Sequence, residues 1–250
     1  MIRSGMERCL QSLEGSLEHK ILPLQQGVLR WGLKRGARYE WRQTGKTPYE
    51  VFVGEFWLTH APPAIITEIV TSFLQAFPSL QSLCAAKEEE ITQFLDHFAT
   101  QFDAQNIKIT AKSLFRIGQG EFPRDSDSLH MCGLGLCGTE AVFCFGYGLP
   151  LAVLDENVSR MLHRVFYRIL PLSPNRGLMH AIASAVLSND NPQEFNRRIL
   201  ELAETVCTAE KPDCADCPIQ SVCDWANAIY DGVPDDCTQG EVPQTLVLLH

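Results

Sequence analysis

The sequence predicts an all-α protein, and three observations predict it. Apolar residues recur at helical spacing in several segments, most clearly over 65–73 and 91–102. The segment 47–50 has the residues of a strong helix start, because Thr47 can cap the helix, Pro48 suits its first turn and Glu50 can close a capping box. The Asn-Gly dipeptide that is typical of a β-hairpin turn does not occur.

The predicted helices follow one another along most of the chain. The first carries Leu24, Val28 and Trp31 on one stripe, and the second begins at Pro48. The apolar stripes over 65–73 and 91–102 predict the next two helices. Further helices are predicted at about 105–117, 137–147, 156–168, 177–188 and 193–206. Beyond about Asp231 the chain is acidic and turn-rich, which predicts a loosely docked strand or a tail without fixed structure.

Composition and charge exclude several classes of protein. The chain has 250 residues and contains no apolar run of about 18 residues, so we expect no membrane span. Residues 1–20 are charged and do not resemble a signal peptide, which predicts an intracellular protein whose cysteines stay reduced. The net charge of −9 arises after residue 200, where ten acidic residues accompany one basic residue, Lys211. This argues against non-specific polyanion binding near that end.

Four cysteines in one short segment predict a metal centre. Cys207, Cys214, Cys217 and Cys223 have the spacing C-x6-C-x2-C-x5-C. A Cys-x-x-Cys core alone would be ambiguous, whereas four thiolates in one loop narrow the choice to zinc or a [4Fe–4S] cluster. The spacing leaves these two alternatives open.

A glycine-rich turn lies between two predicted helices at 131–135. Its Gly133-Leu134-Gly135 core would expose backbone N–H groups and allow close approach of another backbone, which is how a helix–hairpin–helix element holds a DNA phosphate. An ordinary turn explains this short pattern equally well.

Two carboxylates are candidate catalytic groups. Asp155 starts a predicted helix, so it is either an N-cap, a catalytic carboxylate or both. Glu55 lies on the helix that begins at Pro48, with Val51, Phe52 and Leu58 at helical spacing. An apolar environment would raise the pKa of Glu55, as a general acid requires. The alternative is an exposed glutamate or one that is paired with a cation such as Arg42.

The order of these parts resembles the endonuclease III / adenine DNA glycosylase family of helix–hairpin–helix glycosylases with a [4Fe–4S] cluster. The similarity runs from about Leu24 to about Ala226, through the segments 46–55, 133–155 and 207–223. It implies an all-α, two-lobed helix–hairpin–helix DNA glycosylase fold with a C-terminal cluster loop. The implied divisions are an N-terminal extension (1–20), a six-helix domain with the hairpin (43–152), a cluster domain (21–42 plus 153–228) and an acidic tail (229–250).

The resemblance also implies an activity, hydrolysis of the N-glycosidic bond of a flipped base, adenine, in DNA repair. Glu55 would protonate the departing base and then activate water, Asp155 would stabilise the positive charge that develops on the sugar, and Asn157 would position the site. Cys137 stands where the family's lyases carry a lysine, so no Schiff base with the sugar is expected. A monomeric, monofunctional enzyme is the resulting prediction.

The same resemblance assigns binding residues. DNA, as duplex or in an altered form, would be held by Gly133, Gly135, Arg160, Arg164 and Lys211. A solvated helix face is the alternative for the two arginines. The four cysteines, Cys207, Cys214, Cys217 and Cys223, would hold a [4Fe–4S] cluster.

The departures from the family pattern lie in the segments that would face DNA. A glutamine-rich segment is replaced by 59–63, which contains two prolines, and a glycine–tyrosine segment is replaced by 98–102. Glu156 replaces a glycine beside Asp155. These changes keep two further hypotheses open. One is an accessory protein that binds nucleic acid or protein without ordinary repair activity. The other is a glycosylase for an unusual substrate, such as single-stranded or modified DNA.

Overall fold

The computed structural model describes residues 18–33, 37–61, 64–98, 104–131 and 134–230. Within these ranges every regular element is helical, which confirms the all-α prediction. Residues 18–20 of the predicted extension (1–20) are helical, and residues 229 and 230 of the predicted tail (229–250) end a helix. The rest of both predicted segments lies outside the described residues. No helix in the described part of the chain is long and apolar enough to span a bilayer.

Twelve α-helices can be followed through the described ranges. The first, α1, covers 18–32. The others are α2 (Pro48–His60), α3 (Ile66–Ala76), α4 (Leu80–Ala85), α5 (Glu88–His97), α6 (Ala104–Ile117), α7 (Ser126–Met131), α8 (Leu136–Ala141), α9 (Glu156–Val165), α10 (Arg176–Val186), α11 (Pro192–Thr205) and α12 (Asp224–Tyr230). Two 3-10 turns cover Glu40–Arg42 and Gln220–Val222, and a π-helical turn, Val142–Gly146, continues α8.

The chain divides into two compact units. Of the described residues, the cluster unit contains 18–33 and 154–230, and the hairpin unit contains those from 37 to 153. The sequence-based prediction placed residues 37–42 and 153 with the cluster residues, but they belong to the hairpin unit. The reason is that the Trp41 and Arg42 side chains are buried and contact Glu55 on α2.

The hairpin unit is organised around α2. Its N-terminus has the predicted capping box, since the Thr47 side chain accepts from the Glu50 N–H and the Glu50 carboxylate accepts from the Thr47 N–H. Trp57 is fully buried and packs edge-on against Phe73, which contacts Phe94 in the same way. These aromatic contacts join α2, α3 and α5 into one core.

The start of α2 also packs against the π-helical turn. A Cβ added at Gly146, the last residue of that turn, would lie 2.6 Å from the Pro48 Cα, so only glycine allows this approach. The helix that was predicted over 137–147 is present as α8 followed by this π-helical turn. The five-residue π turn directs its buried side chains, including Cys144 and Phe145, into the core.

The cluster unit is fastened by a buried ion pair. Lys20 of α1 donates to Asp224 Oδ1 at 2.5 Å and to the Val165 carbonyl oxygen at 3.0 Å. Asp224 begins α12, and Val165 ends α9. Because Asp224 follows Cys223 directly, this contact fixes the end of the cysteine segment against α1 and α9.

Candidate active site and cysteine pocket

Glu55 is a buried carboxylate whose oxygens accept three hydrogen bonds. Its residue is only 4% exposed. Trp41 Nε1 donates to Oε1 at 3.0 Å, Arg42 Nε donates to the same oxygen at 2.7 Å, and Arg42 Nη2 donates to Oε2 at 2.9 Å. The guanidinium therefore holds the carboxylate in a bidentate pair, the geometry that gives the strongest and most directional hydrogen bonds.

The surroundings of Glu55 differ from the apolar ones that were expected from its helical neighbours. Arg42 is the cation named in the alternative, and its guanidinium cannot lose its proton in a protein. Glu55 is therefore paired with a cation, as the alternative proposed, and is not surrounded by apolar side chains alone.

Local sequence explains how Trp41 reaches Glu55. The indole stacks on Tyr39, with ring centroids 4.7 Å apart, and it lies directly over Gly54. A Cβ at Gly54 would come within 2.2 Å of the indole, so glycine is needed for this approach. Trp41 was not predicted from the sequence as a partner of Glu55. A tryptophan a few residues before α2, together with Gly54 next to Glu55, was the pattern that could have indicated it.

Asp155 is the N-cap of α9. Its Oδ1 accepts from the Val158 N–H at 2.7 Å, and its residue is half-buried. The predicted capping role is thereby confirmed, whereas its catalytic role stays a prediction. Asn157, in the first turn, accepts from Arg160 Nη1 at 2.9 Å. Asp155 and Asn157 belong to the cluster unit, and Glu55 belongs to the hairpin unit.

Arg160 and Arg164, which were predicted to contact DNA, both bind the protein's own backbone. Arg160 Nη2 donates to the carbonyl oxygens of Cys207 at 2.8 Å and Ala203 at 3.0 Å. Arg164 donates to the carbonyl oxygens of Thr208 at 2.7 Å and Ala209 at 2.8 Å. The Ala203 oxygen lies in the last turn of α11 and the other three follow it, where carbonyl oxygens lack helical N–H partners. The arginine pair therefore closes the end of α11, which neither sequence-based alternative included.

Arg164 makes two further contacts that tie it to the cysteines. Its Nη1 lies 3.4 Å from Cys207 Sγ, and its guanidinium carbon lies 4.6 Å from the centre of the Trp225 ring. The guanidinium is thereby held between the Trp225 ring and the Cys207 sulfur.

The four cysteines Cys207, Cys214, Cys217 and Cys223 line one pocket. The pocket wall also contains apolar side chains from α9 and the loop, such as Met161, Val165, Val206 and Ile219. Burial, followed by the neighbouring thiols, raises the pKa of Cys217 and of Cys223 to about 11 each, and burial also raises the pKa of Cys214. Three of the thiols therefore stay protonated at neutral pH until a positively charged group binds them.

The donor set in this pocket fits a thiolate-bound cluster. Among the described residues, no three His, Cys, Asp or Glu side chains are grouped closely enough to hold a single metal ion. In a [4Fe–4S] cluster each iron binds its own cysteine, so the ligands surround the group and need not converge on one point. Four soft sulfur donors around an apolar pocket match that chemistry.

The remaining predicted site residues lie at several places. Gly135 is the N-cap of α8, and a Cβ there would meet nothing within 4 Å, so packing does not require a glycine. Gly133 lies outside the described residues. Lys211 is exposed in the cysteine segment, and Cys137 is half-buried on α8.

Comparisons with known proteins identify relatives along most of the chain. No family model matches. The chain is 27% identical over 209 residues to adenine DNA glycosylase of Homo sapiens, covering 78% of this chain and 38% of the relative. It is 28% identical over 213 residues to adenine DNA glycosylase of Mycobacterium tuberculosis, covering 83% and 70%. It is 26% identical over 215 residues to thymine-DNA glycosylase of Aeropyrum pernix, covering 83% and 96%. The chain thus spans well under half the length of the human relative.

Solved structures show the same fold. A thermostable thymine-DNA glycosylase superposes with a TM-score of 0.72 at 21% identity, covering 84% of this chain and 98% of the other. Endonuclease III in a non-covalent DNA complex superposes with a TM-score of 0.65 at 16% identity, covering 88% and 98%. In its order of motifs, its sequence relatives and its fold, the chain is similar to the helix–hairpin–helix DNA glycosylases.

Proposed function

We propose that this chain is a monofunctional DNA N-glycosylase that hydrolyses the bond between a base and its deoxyribose, with adenine as the first candidate base. The observation that carries the proposal is that both predicted catalytic carboxylates are fixed by hydrogen bonds within their own units. Three donors hold Glu55, and the Val158 N–H holds Asp155. Fixed charges of this kind stabilise a transition state without reorganising during the reaction.

The two carboxylates take different parts in the proposed reaction. As the bond between C1′ and the base nitrogen breaks, its electron pair leaves with the base and positive charge develops on the sugar. Asp155 stabilises that charge, and Asn157, whose side chain is held by Arg160, positions the site. Glu55 accepts a proton from the water whose oxygen attacks C1′, and that proton becomes available to the departing base. The hydrogen bonds from Trp41 and Arg42 fix the carboxylate for this role.

The absence of a lyase step follows from the residues near the hairpin. Cys137 occupies the position of the family's lysine, and residues 113–210 contain no lysine at all. A thiol cannot form the Schiff base through which a lyase cleaves the strand. We therefore propose that the reaction stops at the abasic site.

A [4Fe–4S] cluster held by Cys207, Cys214, Cys217 and Cys223 is part of the same proposal. The cluster would supply a cross-link between the end of α11 and the start of α12. Arg164 would stabilise its thiolates through Cys207. Purified protein should then contain about four irons per chain; stoichiometric zinc instead would overturn this assignment.

The activity is tested with oligonucleotides that carry adenine opposite guanine, adenine opposite oxidised guanine, or thymine opposite guanine. Thymine is included because the chain covers 96% of a relative named thymine-DNA glycosylase. Strand breaks should appear only after alkali treatment, since the enzyme leaves an abasic site. Breaks without alkali would show a lyase. No base release from any substrate would favour the accessory-protein hypothesis.

A further inference from the structure

The side chains that donate to Glu55 come from one short segment of the hairpin unit. Trp41 Nε1 and Arg42 Nε donate to one oxygen of the carboxylate, and Arg42 Nη2 donates to the other. Both donors lie in the 3-10 turn Glu40–Arg42, and Tyr39 is the residue directly before this turn. A donor fixes a carboxylate only as well as its own side chain is fixed. The contacts of Trp41 and Arg42 therefore decide where the carboxylate lies.

Tyr39 stacks on the first of these donors. The centroids of the Tyr39 ring and the Trp41 indole are 4.7 Å apart, and the two planes differ by 24°. The indole also lies on Gly54, where an added Cβ would come within 2.2 Å of it. Stacked aromatic rings prefer a defined relative orientation, and close packing leaves buried rings little room to turn. The stacking contact thus helps to set the direction in which the Trp41 N–H points.

Tyr39 also contacts the second donor. The Arg42 guanidinium carbon lies 5.3 Å from the centre of the Tyr39 ring, which is within the range of a cation–π contact. The backbone explains this approach, because the Arg42 N–H donates to the Tyr39 carbonyl oxygen at 3.2 Å and side chains three positions apart in a 3-10 turn lie on the same side. The exposed Arg38 guanidinium lies 5.5 Å from the same ring. One ring therefore touches both groups that hold Glu55.

The burial of Tyr39 suits an indirect part in the reaction. The residue is 6% exposed, so it offers little surface to a substrate. Its ring contacts two groups that donate to a candidate catalytic carboxylate, and a site of this kind needs such supporting contacts to keep its reacting groups within a fraction of an ångström.

We propose that Tyr39 is a positioning residue for the Glu55 carboxylate. Its ring holds Trp41 and Arg42 in the orientation in which they donate to Glu55, and it acts through these two donors and not on the base or the sugar. The inference rests on the proposed function for the reaction in which Glu55 takes part. The observations that carry it are the stacking contact, the guanidinium contact and the three hydrogen bonds.

The kinetic test compares Tyr39→Leu with Tyr39→Phe in steady-state base release, on the oligonucleotide that wild type processes fastest. Tyr39→Leu removes the ring, and the resulting displacement of the carboxylate should lower kcat by about 10–100-fold. KM should change by less than about twofold, because a positioning contact acts on the reaction step and not on uniform substrate binding. Tyr39→Phe keeps the ring and should recover kcat to within about threefold of wild type. An unchanged kcat in Tyr39→Leu, or an equal loss in Tyr39→Phe, would overturn the proposal.

Tyr147 provides a matched control in the same unit. Its ring centroid lies 5.7 Å from that of Phe143, and the Arg124 guanidinium carbon lies 5.3 Å from its centre. Tyr147→Leu removes these contacts and the hydrogen bonds of the hydroxyl to two backbone carbonyl oxygens, but its partners are not the donors to Glu55. We expect kcat within about twofold of wild type. An equal loss of kcat in Tyr39→Leu and Tyr147→Leu would mean that general loosening of the unit is the cause, which contradicts the proposal.

Urea unfolding gives a second measurement that does not depend on activity. Tyr39→Leu is compared in wild type and in the double variant Arg42→Met with Glu55→Leu, where the guanidinium that the ring contacts is absent. The substitution should raise the unfolding equilibrium constant at least about threefold more in wild type than in the double variant. If Tyr39→Leu does not fold, Tyr39→Met, with a longer and more adaptable side chain, takes its place in both measurements. Equal effects in the two backgrounds would overturn the proposal.

The two measurements separate this inference from the proposed function. A loss of kcat in Tyr39→Leu together with the unequal unfolding effects supports both. Base release by wild type that is unchanged in Tyr39→Leu leaves the glycosylase function standing and overturns the positioning role. If wild type releases no base, the proposed function fails, while the unfolding comparison still decides whether Tyr39 holds the pair of Arg42 and Glu55.

Discussion

The two candidate carboxylates are held in contrasting ways. Glu55 is buried in the hairpin unit with a permanent cation and an indole, whereas Asp155 is half-buried at a helix N-terminus in the cluster unit, where a backbone N–H holds it. Removing the Glu55 carboxylate would leave the Arg42 guanidinium buried without its partner. Asp155, in contrast, can be replaced by a side chain that caps the helix equally well. Substitutions can therefore separate stability from catalysis at Asp155, whereas any substitution of Glu55 affects both.

The largest effect on stability is expected when the Glu55 carboxylate is removed. Glu55→Leu leaves the Arg42 guanidinium buried without its carboxylate, which should lower the free energy of unfolding by about 3–5 kcal/mol. Urea denaturation measures this change. The double variant Arg42→Met with Glu55→Leu removes both charges and should recover most of the loss. A double variant as unstable as the single one would show that the ion pair is not the cause.

The next effect concerns the arginine that joins α9 to the cysteine segment. Arg164→Met removes donors from two backbone carbonyls and from Cys207, so we expect a loss of about 1–3 kcal/mol in unfolding free energy and a lower iron content per chain. Arg116→Met, at an exposed position in the last turn of α6, is the control. Equal iron retention in the two variants would argue against a role for Arg164 at the cysteines.

A smaller effect on stability is expected from substitutions of Asp155. Asp155→Ala removes the cap of α9 and should cost about 1 kcal/mol of unfolding free energy, whereas Asp155→Asn keeps a capping oxygen and should change it by only a few tenths. Thermal or urea unfolding of the two variants measures the difference. Equal destabilisation would mean that Asp155 stabilises the fold through its charge and not as a cap.

The smallest effect depends on pH at the start of α2. Burial alone would raise the pKa of Glu50, but hydrogen bonds from Thr47 and the nearby Lys46 outweigh it and lower that pKa. A lowered folded-state pKa means that the stabilisation is present above the unfolded value, near 4.5, and is lost as the pH falls through the folded value. Glu50→Gln should therefore be less stable than the wild type at pH 7, with the difference shrinking toward pH 3.5. A difference that is constant with pH would contradict this linkage.

Local patterns predicted most of the fold. The Thr47 capping box, the Asp155 cap and the helices at 105–117 and 193–206 depend on residues a few positions apart, so their signals lie within one short segment. The cysteine pocket was also predictable, because its ligands come from one segment of the chain.

The contacts that define the candidate site were less predictable because they join distant residues. Glu55 has Trp41 and Arg42 as partners, 14 and 13 positions away. Arg42 was expected only as an alternative, and Trp41 was not expected. Arg160 and Arg164 have the spacing of a solvated or DNA-facing stripe. Apart from Asn157, which lies three positions from Arg160, the hydrogen-bond acceptors of these arginines among the described residues lie at least 43 positions along the chain.

The most direct test of the glycosylase account is the rate of base release by Asp155→Asn compared with wild type, on the substrate that wild type processes fastest. The substitution keeps the helix cap and removes only the charge, so the fold should be unaffected. The account predicts a rate lower by about 10²–10³-fold with an unfolding free energy within about 0.5 kcal/mol of wild type. An unchanged rate in an equally stable variant would contradict it.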